Sequence, residues 1–488
     1  MNFSRHTKNI ILIGIANVFM YARNIFLLPI LSRTLGVSIY GLWSQLYAMI
    51  ELLIPLFVLS LPAAATRFLA AETDKHVIKI GFWTSTLVAL TSSLILGLVV
   101  LFISVPAKEF FGEEMNQIVD LLWVLMMLVI LSAISNSCIN YFRTFERTTV
   151  FCLMMLLESF GFIIATMIFI SVGWKIMAPL MALIIIKILI CLWGIPKIIS
   201  EIGLCSVDRE TLRKYLSYAV PLIPMGVLYW TIQMSDRYLI DFYLSKEDVG
   251  RYSATYALGS LIAFIYSPIF AFFTPSVTKL WENGQFDDLR LFICKNIKYP
   301  ALFSLPIVIS APMWGMPLIQ LVAGKAFVTS AALLLTILLG YLALMVGTFF
   351  VSILYLTKET KKILWINVAT AALNILLNIA LIPQVGILGA GISTFITFFL
   401  QTVIFYLYAS RHFTFDFGSI NLIKIWVCSF ICAGIVKFFT YESFSSLIIS
   451  SCLGAIVYIF LIYKSGTISR NELLFFFHFL KNDLIKKN

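Results

Sequence analysis

The sequence predicts an all-α integral membrane protein with about 14 transmembrane helices. Of its 488 residues, 61% are hydrophobic and only 12% are charged, whereas a soluble domain has about 25% charged residues. A water-soluble fold has no interior large enough for so much apolar surface, but a bilayer dissolves it. The apolar residues also occur in runs of about 20 or more, which is the length that crosses a bilayer as a helix.

Fourteen apolar runs follow one another with short connections between them. The predicted spans are 9–32, 41–64, 78–104, 117–142, 150–172, 176–198, 215–244, 250–272, 296–322, 328–356, 363–382, 387–410, 420–440 and 444–464. Each is too long and too apolar for an ordinary core helix. The longest connections, at 199–214 and 273–295, leave no room for a soluble domain.

Lysine and arginine predict the orientation in the membrane. With the N-terminus in the cytoplasm, 25 of the 35 basic residues fall in cytoplasmic segments, six on the opposite side and four within spans. Positive residues collect in cytoplasmic loops, so we expect a multi-pass protein of the cell (inner) membrane with both termini cytoplasmic. The net charge of +11 then reflects topology, and we expect no nucleic-acid partner.

A weak internal repeat predicts two halves. Gly41-Leu-Trp-Ser44 opens span 2 and Gly250-Arg-Tyr-Ser253 opens span 8, at an offset of 209 residues. Val172-Gly173 and Val385-Gly386 recur at a similar offset, although matches this short also arise by coincidence. Six spans per repeat keep the topology, so the halves would be parallel, with a substrate path between them.

The repeat therefore divides the chain into four predicted parts. We expect an N-terminal six-helix lobe over 1–208 and a C-terminal six-helix lobe over 209–412. Two extra helices would occupy 413–466, and 467–488 would form a cytoplasmic tail.

The sequence contains no recognisable catalytic or cofactor motif. It has no G-x-x-x-x-G-K-[ST] loop and no H-E-x-x-H pair, and its four histidines are scattered outside the predicted spans. We therefore expect no enzymatic activity, no metal and no cofactor.

Charged residues inside spans are the strongest functional signal. Each costs about 2.5–3.5 kcal/mol near the bilayer centre, so such residues usually face a cavity or a partner. The predicted ligands of an anionic group such as a diphosphate are Arg23, Arg237 and Lys187, because arginine binds phosphate through a bidentate fork. The acids that would couple transport to an ion, or pair with these cations, are Glu51, Asp236 and Glu158. Two plainer alternatives are an Asp236–Arg237 ion pair at a helix end and an Arg23–Glu51 pair.

Aromatic residues accompany these charges. Trp43, Tyr47, Tyr229 and Trp230 could stack on sugar faces, and they equally suit the aromatic belt at a membrane interface.

Three stretches resemble a known family. They are Asp236 to Ser253, Asn374 to Thr394, and Arg33-x-Leu-Gly-x-x-x-Tyr-Gly41. They are similar to the span 7–8, span 11–12 and first-hairpin regions of polysaccharide biosynthesis and O-antigen (Wzx-type) flippases. That family belongs to the multidrug/oligosaccharidyl-lipid/polysaccharide exporter superfamily, with the MATE-type extruders and the lipid II flippase.

The resemblance implies a transporter that works by alternating access between two lobes. Its substrate would be a polyprenyl-diphosphate-linked oligosaccharide, carried from the cytoplasmic to the outer leaflet for O-antigen (lipopolysaccharide), capsule or exopolysaccharide synthesis. Arg23 and Arg237 would supply the cationic cavity of the family. The implied partners are this lipid-linked glycan, membrane lipids, and glycan polymerase and chain-length proteins.

Two other functions are weighed against the flippase. A cation-coupled multidrug extruder needs an acidic cavity, whereas span 1 carries Arg23 and no acid. A membrane glycan polymerase or ligase usually needs a long outer loop with catalytic residues, and the predicted outer loops are short and contain no histidine.

Overall fold

The computed structural model describes residues 3–110, 112–415, 419–438 and 444–467. Throughout this part of the chain the regular elements are helices, and none of its residues forms a β-strand. The predicted all-α membrane fold class is therefore confirmed. Most of the predicted tail, from residue 468 to 488, lies outside the described residues.

The described chain divides into two compact units. The first holds the residues up to Ser253 together with Ala371–Ile379, and the second holds Ala254–Thr370 and the residues from Ala380 onward. These units differ from the predicted lobes, which follow a sequence repeat. The lobe boundaries therefore remain predictions.

The first unit is built from the helices up to the first half of α11. They are α1 (Phe3–Phe57, two helices that join at a kink where Gly36 has φ 81°), α2 (Leu61–Leu69), α3 (Lys75–Phe110), α4 (Gly112–Thr144), α5 (Thr148–Leu156), α6 (Phe162–Ser171), α7 (Met177–Ile202), α8 (Arg209–Ala219), α9 (Leu222–Met234), α10 (Asp236–Tyr243) and α11 (Lys246–Gly259). A π-helical turn, Leu157–Gly161, joins α5 to α6.

The second unit is built from the remaining helices, apart from the middle turns of α15. They are α12 (Ala263–Glu282), α13 (Phe286–Ala323), α14 (Ala331–Leu356), α15 (Thr360–Val385), α16 (Ile387–Ala409), α17 (Ser419–Val436) and α18 (Phe444–Lys464). Short 3₁₀ turns, Ser260–Ile262 and Lys325–Phe327, precede α12 and α14.

Within the described residues, 11 helices are long and apolar enough to cross a membrane, and Asn421–Val436 is a shorter apolar helix.

Three predicted spans are not continuous. Span 2 breaks after α1, where Leu59 and Ser60 have positive φ. Span 7 breaks into α8, α9 and α10. The first break lies at Pro221, which cannot continue the hydrogen bonding of α8, and the second lies at Ser235. Span 8 contains the Ser260–Ile262 turn.

Two glycines let α1 and α11 touch through their backbones. A Cβ atom on Gly41 would lie 2.1 Å from the carbonyl oxygen of Lys246, and one on Gly250 would lie 2.2 Å from that of Val37. Nearby, the Ser44 hydroxyl donates to the Ser253 hydroxyl at 2.7 Å. These are residues that the repeat pairs at an offset of 209. If the two segments are repeats, equivalent residues meet only close to the axis that relates them; the repeat itself stays a prediction.

We predict that Gly41→Ala and Gly250→Ala each destabilise the protein by about 1–3 kcal/mol, because the added methyl group overpacks a backbone contact. The measurement is the thermal unfolding midpoint of the purified protein in detergent. Gly226→Ala is the matched control, since a Cβ there meets nothing within 4 Å and alanine is the better helix former. Equal midpoints for all three variants would contradict the close backbone approach.

Candidate functional site

Arg23 lies in an aromatic cluster formed by α1 and α6. One of its terminal nitrogens donates to the Tyr47 hydroxyl at 3.1 Å, and its guanidinium carbon lies 5.4 Å from the centre of the Phe162 ring. Trp43 packs beside Tyr47 and stacks on Phe162, with ring centres 5.8 and 6.2 Å apart. The Nε atom of Arg23 is buried and has no hydrogen-bond partner. A charged donor is therefore held in place with one N–H unused.

Glu51 lies one helical turn beyond Tyr47 on the same face of α1, and it is exposed. An exposed carboxylate within an apolar span indicates a water-filled space rather than lipid. Arg23 donates to Tyr47, and among the described residues the structure shows no direct ion pair between Arg23 and Glu51, the pairing considered from the sequence.

Glu158 and Lys187 form an ion pair beside this cluster. The Lys187 ammonium lies 2.5 Å from a Glu158 carboxylate oxygen and 3.3 Å from the amide oxygen of Asn136 on α4. Glu158 belongs to the π-helical turn, a rare element that recurs at functional sites, and it is one turn before Phe162. Since Phe162 contacts Arg23, the ion pair lies next to the Arg23 cluster.

Asp236 and Arg237 form a second, buried network at the start of α10. They are only 1% and 5% exposed. Arg237 donates to the Asp236 carboxylate at 2.9 Å, to the carbonyl oxygen of Gln233 at 3.0 Å and to the Ser44 hydroxyl at 3.0 Å. The other carboxylate oxygen of Asp236 accepts from the Tyr252 hydroxyl. This is the internal ion pair that the sequence left open as an alternative.

The second network fixes α1 where α1 carries the Arg23 cluster. Gln45 accepts from the Tyr238 hydroxyl at 2.8 Å and donates to the carbonyl oxygen of Arg237 at 3.4 Å. The Trp230 indole donates to the carbonyl oxygen of Ala48 at 2.7 Å. These contacts lie on the face of α1 next to Trp43 and Tyr47. The packing of α9 and α10 therefore fixes the position of the Arg23 cluster.

The structure thus separates the predicted site residues into two groups. Around Arg23 it gathers Trp43, Tyr47, Glu51, Glu158 and Lys187. On the neighbouring face of α1 it places Asp236, Arg237 and Trp230. Tyr229 is 60% exposed and accepts from Gln233. Their roles in transport remain predictions.

Residues of these networks that were absent from the predicted site include Phe162, Asn136, Ser44 and Tyr252. Asn136 was visible as an amide within an apolar span, and Ser44 and Tyr252 lie in the repeated segments. Among the described residues, no group of three or more histidine, cysteine, aspartate or glutamate side chains could hold a metal ion.

The comparison that decides the family is a match to the "Polysaccharide biosynthesis protein" family model over residues 6–281, more than half of the chain. The chain belongs to this family. Along 453 residues it is 22% identical to "Probable low-salt glycan biosynthesis flippase Agl15" of Haloferax volcanii, which covers 91% of this chain and 93% of that relative.

Solved structures share the fold of this family member. The structure described as "Lipid II flippase MurJ, inward closed conformation" superposes with a TM-score of 0.71 at 17% identity, covering 98% of this chain and all of that one. An inward-facing MATE multidrug transporter gives a TM-score of 0.64 at 15% identity, covering 81% of this chain and 94% of its own. The predicted family and membrane-transporter fold are thereby confirmed.

We predict that Asp236→Asn destabilises the protein far more than Asp241→Asn, the matched change on α10. The first leaves the buried Arg237 charge without its counter-charge, a loss worth about 3–5 kcal/mol. The measurement is again the thermal unfolding midpoint in detergent. Similar midpoints for the two variants would contradict a structural role for the pair.

Proposed function

We propose that the protein is a flippase that moves a polyprenyl-diphosphate-linked oligosaccharide from the cytoplasmic to the outer leaflet, for O-antigen, capsule or exopolysaccharide synthesis. Its family and its likeness to a glycan biosynthesis flippase over 91% of the chain support this function. The observation that carries the proposal is the unused, buried Nε–H of Arg23, held within a span beside the exposed Glu51.

In this proposal Arg23 binds the diphosphate. Tyr47 holds one end of the guanidinium, and the Nε–H remains for a phosphate oxygen, which forms a stronger hydrogen bond with a charged donor than with a neutral one. Tyr47 is half-buried and Trp43 is buried, so Tyr47 offers a ring to the first sugar and Trp43 backs it. Arg237 does not contact the diphosphate in this proposal, because its guanidinium is hydrogen-bonded to protein groups. It instead orients α1, which carries Tyr47.

Lys187 is the second cation of the proposed site. In the structure its charge is matched by Glu158 at 2.5 Å. Protonation of Glu158 would release Lys187 toward the diphosphate, so this pair is the proposed coupling element, with Glu51 as the acid open to water. Glycan translocation would then be coupled to a proton.

Alternating access requires a contact that closes in one state and opens in the other. We assign this role to the contact of Gly41 and Ser44 with Gly250 and Ser253. The count of basic residues places it on the outer side of the membrane. It joins repeat-equivalent segments through backbone contacts and one hydroxyl pair, which rigid-body motion can separate without unfolding a helix.

We predict that Arg23→Gln weakens binding of a polyprenyl diphosphate to the purified protein by about ten-fold or more, because a charge-assisted hydrogen bond is lost. Arg23→Lys should restore only part of the affinity, since a lysine cannot bond Tyr47 and present a second fixed donor. Lys175→Gln, which removes a charge from an exposed turn, is the control. Unchanged binding by Arg23→Gln would contradict the proposed diphosphate site.

We predict that a disulfide between Ser44→Cys and Ser253→Cys stops transport. In a background in which the eight native cysteines are replaced, oxidation should abolish flipping in reconstituted vesicles, and a reductant should restore it. Each single cysteine variant is the control. Full flipping by the crosslinked protein would show that α1 and α11 need not separate here.

A further inference from the structure

A cluster of exposed cations lies in the second unit where α14 and α16 end and α15 begins. Lys362 from α15 and Arg411 after α16 approach the same Tyr408 ring, with the ammonium nitrogen 5.2 Å and the guanidinium carbon 4.7 Å from its centre. We call this cluster the Tyr408 patch. Its exposed basic members are Lys358, Lys361, Lys362, Arg411 and His412.

The patch contains one acid, which is turned inward. Glu359 accepts from Lys362 at 2.8 Å and lies 3.7 Å from His412, while its second carboxylate oxygen is buried. The hydrogen bond from Lys362 lowers the pKa of Glu359, so the acid remains charged at neutral pH. Glu359 is paired with Lys362 and lies near His412, whereas Lys358, Lys361 and Arg411 remain exposed, so the patch keeps a positive surface.

Exposed apolar side chains lie one helical turn from the patch, toward the middle of each helix. Trp365 follows Lys361 by four positions and is 70% exposed, and Leu407 precedes Arg411 by four positions and is 56% exposed. Tyr355 precedes Glu359 by the same spacing and is 54% exposed. Cations followed by an exposed apolar wall match a molecule with an anionic head and an acyl chain.

We propose that the Tyr408 patch binds the phosphate headgroup of an anionic phospholipid, with an acyl chain along Trp365 and Leu407. Lys362 and Arg411 contact the phosphate, and the Tyr408 ring holds both cations toward it. The basic-residue count places the patch on the cytoplasmic side, where anionic lipids attract basic segments and each lysine or arginine favours binding about five-fold. The apolar wall favours a phospholipid over a free phosphate compound.

The test uses quenching of tryptophan fluorescence by brominated lipids in the full-length protein. Because the chain has 10 tryptophans, the signal of Trp365 is obtained as the difference between the wild type and Trp365→Phe. Brominated phosphatidylglycerol is compared with brominated phosphatidylcholine. The decisive variant is Lys362→Gln/Arg411→Gln. The matched control is Lys279→Gln/Lys295→Gln, which removes two exposed charges elsewhere in the same unit.

The proposal requires that phosphatidylglycerol quench the Trp365 signal at a several-fold lower mole fraction than phosphatidylcholine. Lys362→Gln/Arg411→Gln should weaken this preference by about ten-fold or more, while Lys362→Arg/Arg411→Lys and the control keep most of it. Equal quenching by the two lipids would overturn the proposal. Binding of inorganic pyrophosphate to the patch without a lipid preference would overturn it in favour of a free phosphate ligand.

Discussion

The buried ion pair between Asp236 and Arg237 is the constraint on which the rest of the first unit depends. Two charges taken out of water are tolerated only when every remaining donor and acceptor is satisfied. Here Ser44, Gln233 and Tyr252 supply those partners, so three helices must meet in one register. The break between α9 and α10 falls immediately before the pair, and it lets Arg237 reach back to the carbonyl oxygen of Gln233.

This anchoring gives the Arg23 cluster its geometry. The same stretch of α1 offers one face to the ion pair and the neighbouring face to Arg23, so Trp43 and Tyr47 are held while Arg23 keeps a free donor. Nearby, Lys187 is paired with Glu158, and Glu51 is exposed. In the proposed function, Arg23 would be the available cation and Lys187 the paired one, an arrangement that suits binding an anion and releasing it again in every cycle.

The sequence predicted the class of fold and the charged residues, because a charge within an apolar run is visible without coordinates. It placed Tyr47 near Arg23 but not Phe162, which reaches Arg23 through packing that spacing alone does not encode. It did not decide between two roles for Arg237, a buried ion pair with Asp236 and a ligand of the substrate in a cavity, because an adjacent aspartate is compatible with both. The breaks in spans 2, 7 and 8 were also missed, although Pro221 signalled one of them. The repeat was the more informative pattern, because Gly41, Ser44, Gly250 and Ser253 meet in space.

The proposed function depends most on Arg23 binding the diphosphate of the lipid-linked glycan during transport. The most direct measurement is made in a strain that lacks this gene and carries a plasmid copy of the wild type or of Arg23→Gln. Lipid-linked oligosaccharide is quantified by mass spectrometry, and its sidedness is tested with an impermeant sugar-oxidising reagent on spheroplasts. The account predicts that Arg23→Gln accumulates a protected, cytoplasm-facing lipid-linked unit, as the empty plasmid does. An outward-facing unit, or no accumulation in the strain with the empty plasmid, would contradict it.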